Sequence, residues 1–276
     1  MSYELNSKLS KLVPYEPITE TYKIRLDANE SFMNLNDEIK SEISYALSKT
    51  DFNRYPDPQQ HKLKKVFSEL KRVNEDQILF GNGSDEVLDL IIRAFCEPGI
   101  DNVLGISPSY GMYEVLANIN NVEYKKSLLN SLDFSLNLND IFAQINDNTK
   151  LVFLCSPNNP TGQILNFDDV KRVVEGFDGI VIIDEAYIDF STEKSWLKML
   201  SQYNNIIVTQ TLSKAFGLAG IRLGIAYASA QIIAGLNKIK PPYNINQLTQ
   251  EKALSVMIDK SYSKNLNTCN SIEKNL

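Results

Sequence analysis

Five short runs constrain the fold of this chain more than anything else in it. QILF (77–80), VLGIS (103–107), KLVFLC (150–155), GIVIID (179–184) and NIIVTQ (205–210) are apolar, rich in β-branched residues, and break off into polar turn residues. Helical spacing fills the intervals, as in SDEVLDLIIRAF (84–95). Strands that are apolar on both faces and alternate with helices predict an α/β unit, a largely parallel sheet with helices on both sides. Two further helices are expected in AQIIAGLNKIK and NQLTQEKALSVMI, on either side of the breaker Pro241-Pro242. No internal repeat, low-complexity tract or interdomain linker interrupts the pattern.

Composition narrows the function. With 28 basic and 34 acidic residues the formal charge is −6, a poor basis for gripping nucleic acid or an anionic membrane. Nothing approaches 18 consecutive apolar residues, and MSYELNSKLSKLVPY lacks the apolar stretch of a secretory signal, so a cytoplasmic protein is expected. Cys96, Cys155 and Cys269 are too few and too scattered for a zinc ribbon or disulfide framework, and Cys155 reads as a buried thiol. His61 is the sole histidine, which disfavours histidine triads and multi-histidine metal sites; it reads as a solvated residue near a helix start. No metal is expected.

The polar residues collect where ligands bind open α/β sheets, beyond the carboxyl ends of the strands. GNGSDE (81–86) follows QILF, SPNNPTG (156–162) follows KLVFLC, DEAY (184–187) ends GIVIID, and TLSK (211–214) follows NIIVTQ. Each alone is an ordinary turn or helix cap. Their recurrence at one sheet edge is not ordinary. GNGSDE lacks the third glycine of a dinucleotide fingerprint and the G-K-[ST] of a Walker loop, which counts against a Rossmann dehydrogenase. It nevertheless places Ser84 at a helix amino terminus, where free N–H groups favour a phosphate. Thr211, Ser213 and Arg222 add hydroxyls and a cation suited to a phosphate dianion. Lys214, among small and apolar residues near that cation, is of the kind that loses its proton and becomes a nucleophile.

SPNNPTG, IIDEAY and TLSKAFGLAGIRLG, in that order, resemble the fold-type-I pyridoxal-phosphate aminotransferases. LDANE (26–30), NRYPDP (53–58), GNGSDE, SPSYGMY (107–113) and PPYN (241–244) are similar to the class-II subgroup of histidinol-phosphate aminotransferases. The resemblance implies pyridoxal 5'-phosphate as cofactor, with Lys214 as the Schiff-base lysine and proton carrier. Asp184 would face the pyridine nitrogen, Asn159 and Tyr187 the phenolic oxygen, and Tyr110 the ring plane. Ser84, Asp85, Thr211, Ser213 and Arg222 would surround the phosphate, with Tyr55 reaching it from the partner subunit of a homodimer. The implied reaction converts L-histidinol phosphate and 2-oxoglutarate to imidazole acetol phosphate and L-glutamate, a step of histidine biosynthesis. Aromatic amino acids as substrates, threonine-phosphate decarboxylation, or a non-catalytic cofactor-binding form are the alternatives.

The implied organisation is an amino-terminal arm with part of a small domain (1–50), a large cofactor domain (51–260) and the start of a carboxyl-terminal small domain (261–276). Relatives carry a carboxylate-gripping arginine in that last domain; here none follows Arg222, and IDKSYSKNLNTCNSIEKNL is polar, so the small domain is expected to be truncated and glutamate-dependent turnover poor. LDANESF also lacks the proline usual after this motif, in a loop expected to face substrate.

Overall fold

A computed structural model of the chain describes residues 20–24, 26–32 and 34–258, together with Leu9. The expected start of a small domain at 261–276, Cys269 included, lies outside the described residues, as do residues 1–8 and 10–19 of the arm.

Among the described residues, seven strands form one sheet in the order β1-β7-β6-β5-β4-β2-β3. They are β1 (Ile78–Asn82), β2 (Asn102–Ser107), β3 (Glu123–Leu128), β4 (Thr149–Cys155), β5 (Ile180–Asp184), β6 (Ile206–Thr211) and β7 (Leu223–Ala228). The run from β3 to β6 is parallel; β7 is antiparallel to both β6 and β1. One reversed strand therefore sits inside the sheet, and β1 beyond it again points the same way as β6. This restores GNGSDE to the edge where the other motifs end. Strands β3 and β7 are not among the runs singled out above. EYKKSL in β3 is a polar edge strand in which only Ser127 is buried, and β7 is hidden within the motif-bearing stretch.

Alternate side chains of the inner strands enter two separate apolar layers. Val152, Leu154, Val181 and Ile183 face one, where they meet Val170, Val173 and Val174 of α6 (Phe167–Gly176). Leu151, Phe153 and Ile182 face the other, against α3 (Ser84–Phe95) and α4 (Met112–Ile119). The first layer also takes Ile39 and Ile43 of α1 (Asp37–Ser48), Leu63 and Phe67 of α2 (His61–Lys71), Ile141 of α5 (Leu138–Gln144), and Ala253 and Val256 of α8 (Gln247–Ile258). Ile232, Ile233 and Leu236 of α7 (Ala230–Asn237) complete the second. Both faces of the sheet are dry, which is why its strands read as continuous apolar runs.

Local chemistry sets the helix starts. Asn166 accepts the Asp168 and Asp169 N–H groups at the head of α6, and Ser229 accepts that of Ile232 at the head of α7. His61 opens α2, exposed as expected, with Asp57 accepting from its N–H and lying 3.0 Å from its ring nitrogen. Cys155 is buried, and burial pushes its thiol up to about 12. Among the described residues no helix is long and apolar enough to cross a membrane.

Candidate active site at the strand ends

The site begins with the last residue of β5. Asp184 is 3% exposed and accepts three hydrogen bonds: Tyr113 Oη at 2.6 Å, Thr209 Oγ1 at 3.0 Å and the Ala186 N–H at 3.2 Å. Thr209 is its cross-strand neighbour on β6, and Tyr113 comes from the first turn of α4. Burial raises the carboxyl above its ordinary value while these donors hold it down. The Tyr113 ring is fully buried and stacks on Phe153, so its hydroxyl has one direction in which to point.

Lys214 enters the same edge from the loop after β6. Its Nζ donates to the Ala28 carbonyl at 2.8 Å and lies 5.7 Å from the centre of the Tyr187 ring. Burial is the main cause lowering its ammonium below the ordinary lysine value; Arg222 lowers it further, and Glu30 and Asp85 oppose both. Tyr187 Oη accepts from Asn29 Nδ2 at 3.0 Å. Asn29 has φ 51°, a left-handed conformation that asparagine tolerates well. LDANE thus folds over the site, with consecutive residues touching Lys214 and Tyr187.

Beyond them the head of α3 meets Arg222. Gly83 (φ 85°) turns the chain from β1 into α3, and a Cβ there would overlap the Arg222 guanidinium. A Cβ on Gly224 would overlap the backbone of Gly83 and Ser84, so glycine allows β7 to pass against this turn. Arg222 lies 3.6 Å from Asp85, which accepts from Tyr110 Oη at 3.0 Å; the Tyr110 ring is edge-on to Tyr113. Thr211 Oγ1 and Ser213 Oγ are 3.0 Å apart and buried. Asn159 lines a cavity of about 340 Å³ with Tyr187, Asn29, Phe190 and the Pro157–Pro160 turn.

Ten of the eleven residues singled out from the sequence thus stand along one edge. Tyr55 stands apart, 80% exposed, with its ring 4.4 Å from that of Tyr243. Tyr113, Thr209, Ala28 and Asn29 were not singled out. Strand alternation could have found Thr209, which shares a face with Thr211; Tyr113 lies one helical turn past Tyr110.

Residues 21–273 match the family of class I and II aminotransferases, and the chain belongs to that family. Within it, the chain is 60% identical over 202 residues to a histidinol-phosphate aminotransferase of Flavobacterium psychrophilum, covering 73% of this chain and 58% of that protein. It is 52% identical over 254 residues to that of Christiangramia forsetii, covering 90% and 68% respectively. The chain therefore spans between 58% and 68% of these two relatives' own length. Among solved structures, the histidinol-phosphate aminotransferase of Clostridium acetobutylicum superposes with a TM-score of 0.77 at 26% identity, over 90% of this chain and 72% of that one. That of Sinorhizobium meliloti, solved with pyridoxal-5'-phosphate, gives 0.79 at 23%, over 87% and 66%, and shares the fold.

The residues present fit that cofactor. A nitrogen base needs a buried acid able to stay ionised, and Asp184 is buried with three donors aimed at it. An aldehyde needs an amine near neutrality, and Lys214 is shifted in that direction. A phosphate needs N–H groups, hydroxyls and a cation, which the head of α3, Thr211, Ser213 and Arg222 bring together.

Proposed function

We propose that this chain carries the cofactor-binding part of an aminotransferase that uses pyridoxal phosphate to convert L-histidinol phosphate and 2-oxoglutarate to imidazole acetol phosphate and L-glutamate. The observation that carries the reading is that Lys214 and buried Asp184 stand at the same sheet edge, in a chain about half identical to histidinol-phosphate aminotransferases. When bound, the cofactor supplies an electron-poor ring that accommodates the electron pair left when a Cα–H bond breaks.

The remaining work falls to the chain. Lys214, once neutral, would take the proton from the substrate Cα, and the burial that lowers its ammonium pKa favours the free amine. Asp184 keeps a proton on the ring nitrogen, and Tyr113 and Thr209 keep Asp184 ionised and aimed. Tyr187 and Asn159 hold the phenolic oxygen, Tyr110 fixes the ring plane, and Ser84, Asp85, Thr211, Ser213 and Arg222 hold the phosphate end. We assign Tyr55 to the partner subunit's site in a homodimer. Its outward ring supports this, as do the exposed Ile24, Leu26, Phe32, Tyr45 and Phe52 of the same amino-terminal region. The division of the chain near residues 50 and 260 and a cytoplasmic location belong to the same reading.

Borohydride treatment of the chain loaded with pyridoxal phosphate, followed by peptide mapping, tests the assignment. The label is expected on Lys214 and lost in Lys214→Ala; a label on another lysine overturns it. A two-substrate assay with histidinol phosphate beside aromatic amino acids then tests the substrate.

A further inference from the structure

PPYN, at 241–244, has no part in the chemistry above, yet its asparagine reaches the turn that opens α3. Asn244 Nδ2 donates to Glu86 Oε2 at 2.8 Å and to the Phe80 carbonyl at 2.9 Å. The same Glu86 oxygen accepts the Asn82 N–H at 2.6 Å. Lys240 Nζ donates to Asn244 Oδ1 at 3.1 Å, which orients the amide so that its NH2 group faces Glu86. The neighbouring Tyr243 stacks on Tyr55, anchoring the segment on its other side. A chain of hydrogen bonds therefore runs from the loop before α8, through Glu86 in the first turn of α3, to the backbone where β1 becomes the Gly83 turn.

Two features make this more than a surface contact. Glu86 is an acceptor that meets donors from two different segments, so losing either loosens the other. The N–H groups at the head of α3 gain value for an anion only if the turn holds them in place before the anion arrives. We infer that Asn244 is a positioning residue: acting through Glu86, it fixes the Asn82–Ser84 turn so that the head of α3 is preset for the cofactor phosphate. The inference rests on the proposed function for the identity of the anion but not for the brace itself.

Amide hydrogen exchange on the cofactor-free chain tests the brace directly. Asn244→Ala should speed exchange at Asn82 about tenfold or more, while amides of α6 on the far layer keep their rates. In a Glu86→Ala background, Asn244→Ala should add little, because the path is already cut. The loaded chain should then show pyridoxal-phosphate affinity weakened about tenfold, with kcat at saturating cofactor nearly unchanged. Unchanged protection at Asn82 would overturn the inference, and so would loosening spread evenly over α3 and α6, the signature of a merely structural residue. Full additivity of the two substitutions would place the action of Asn244 elsewhere and overturn it too. If Asn244→Ala does not fold, Asn244→Asp keeps the shape but turns a donor into an acceptor facing Glu86, and the same readouts apply. A wild-type chain that takes up no pyridoxal phosphate would overturn the proposed function and leave the exchange result to judge the brace.

Discussion

Asp184 and Glu185 are adjacent, equally buried and both acidic, yet they serve opposite sides of the sheet. Asp184 faces the layer of Tyr113, at the edge where Lys214 enters. Glu185 faces the other way, where it accepts from Ser195 Oγ at 2.5 Å, the Trp196 N–H at 2.6 Å and Gln210 Nε2 at 2.9 Å. The β-period carries the contrast across to β6, whose Thr209 serves Asp184 and whose Gln210 serves Glu185. Burial raises both carboxyls, and hydrogen bonds to the charged form oppose it in both. The difference lies in what the donors belong to. Those of Glu185 tie the segment at 195–196 to β6 beside a separate cavity of about 370 Å³, whereas those of Asp184 fix it at the edge where Lys214 enters. One acid is spent on the fold and the other on the site.

Substitutions should separate the two. Asp184→Asn should cost about 10² to 10³ in kcat, since an amide cannot hold a charge on the ring nitrogen, while cofactor still binds; near-normal single-turnover rates would break the contrast. Glu185→Ala should act on stability instead. Leaving the Trp196 N–H and Gln210 amide buried without their acceptor costs about 3 kcal/mol, on the order of 10 °C in Tm, with kcat per folded molecule little changed. Calorimetry and active-site titration together would show it.

Tyr113→Phe sharpens the comparison from within. Removing one donor raises Asp184 further, so the acid limb of the pH–rate profile should move to higher pH, with a stability loss of about 1 to 2 kcal/mol. The smallest expected effect is in the pH dependence of stability. Asp184 has a folded value above its unfolded one, so the folded chain holds the extra proton and loses stability as pH rises through that window. Relative to wild type, Asp184→Asn should therefore gain stability as pH rises from below the unfolded value of Asp184 to above its folded value. A constant difference between the two chains across that range would mean the carboxyl is not shifted.

Much of the site was legible because apolar runs and polar motifs alternate so sharply that each strand end announces itself. The direction of β7 was not legible: periodicity reports which face is buried but not which way a strand runs, and LGIAYA would suit either orientation. Nor was the pairing of Asp184 with its donors: alternation puts Thr209 on the face of Thr211, but Thr209 and Tyr113 lie 25 and 71 residues from Asp184 and only the sheet and α4 bring them to it. Asn29 was visible as part of LDANE, but its grip on Tyr187 depends on a fold-back spanning most of the chain. Local pattern gives the edge; the contacts across it come from topology.

The reversed strand has a consequence for the order in which the molecule is made. Among the described residues strand β1 pairs only with β7, so residues 78–82 stay without that sheet partner until residues 223–228 have been synthesised and docked. Parallel pairing from β2 to β6 can proceed without either. Closing so long a loop is slow and entropically late. On a ribosome, the catalytic end around Asp184 would therefore take shape first. The proposed anchorage for phosphate, with the Gly83 turn packed against Gly224, would be finished only as β7 is inserted. On the proposed function, cofactor uptake is then a natural checkpoint for completed folding, because in a chain stalled before β7 the Gly83 turn has no Gly224 to pack against.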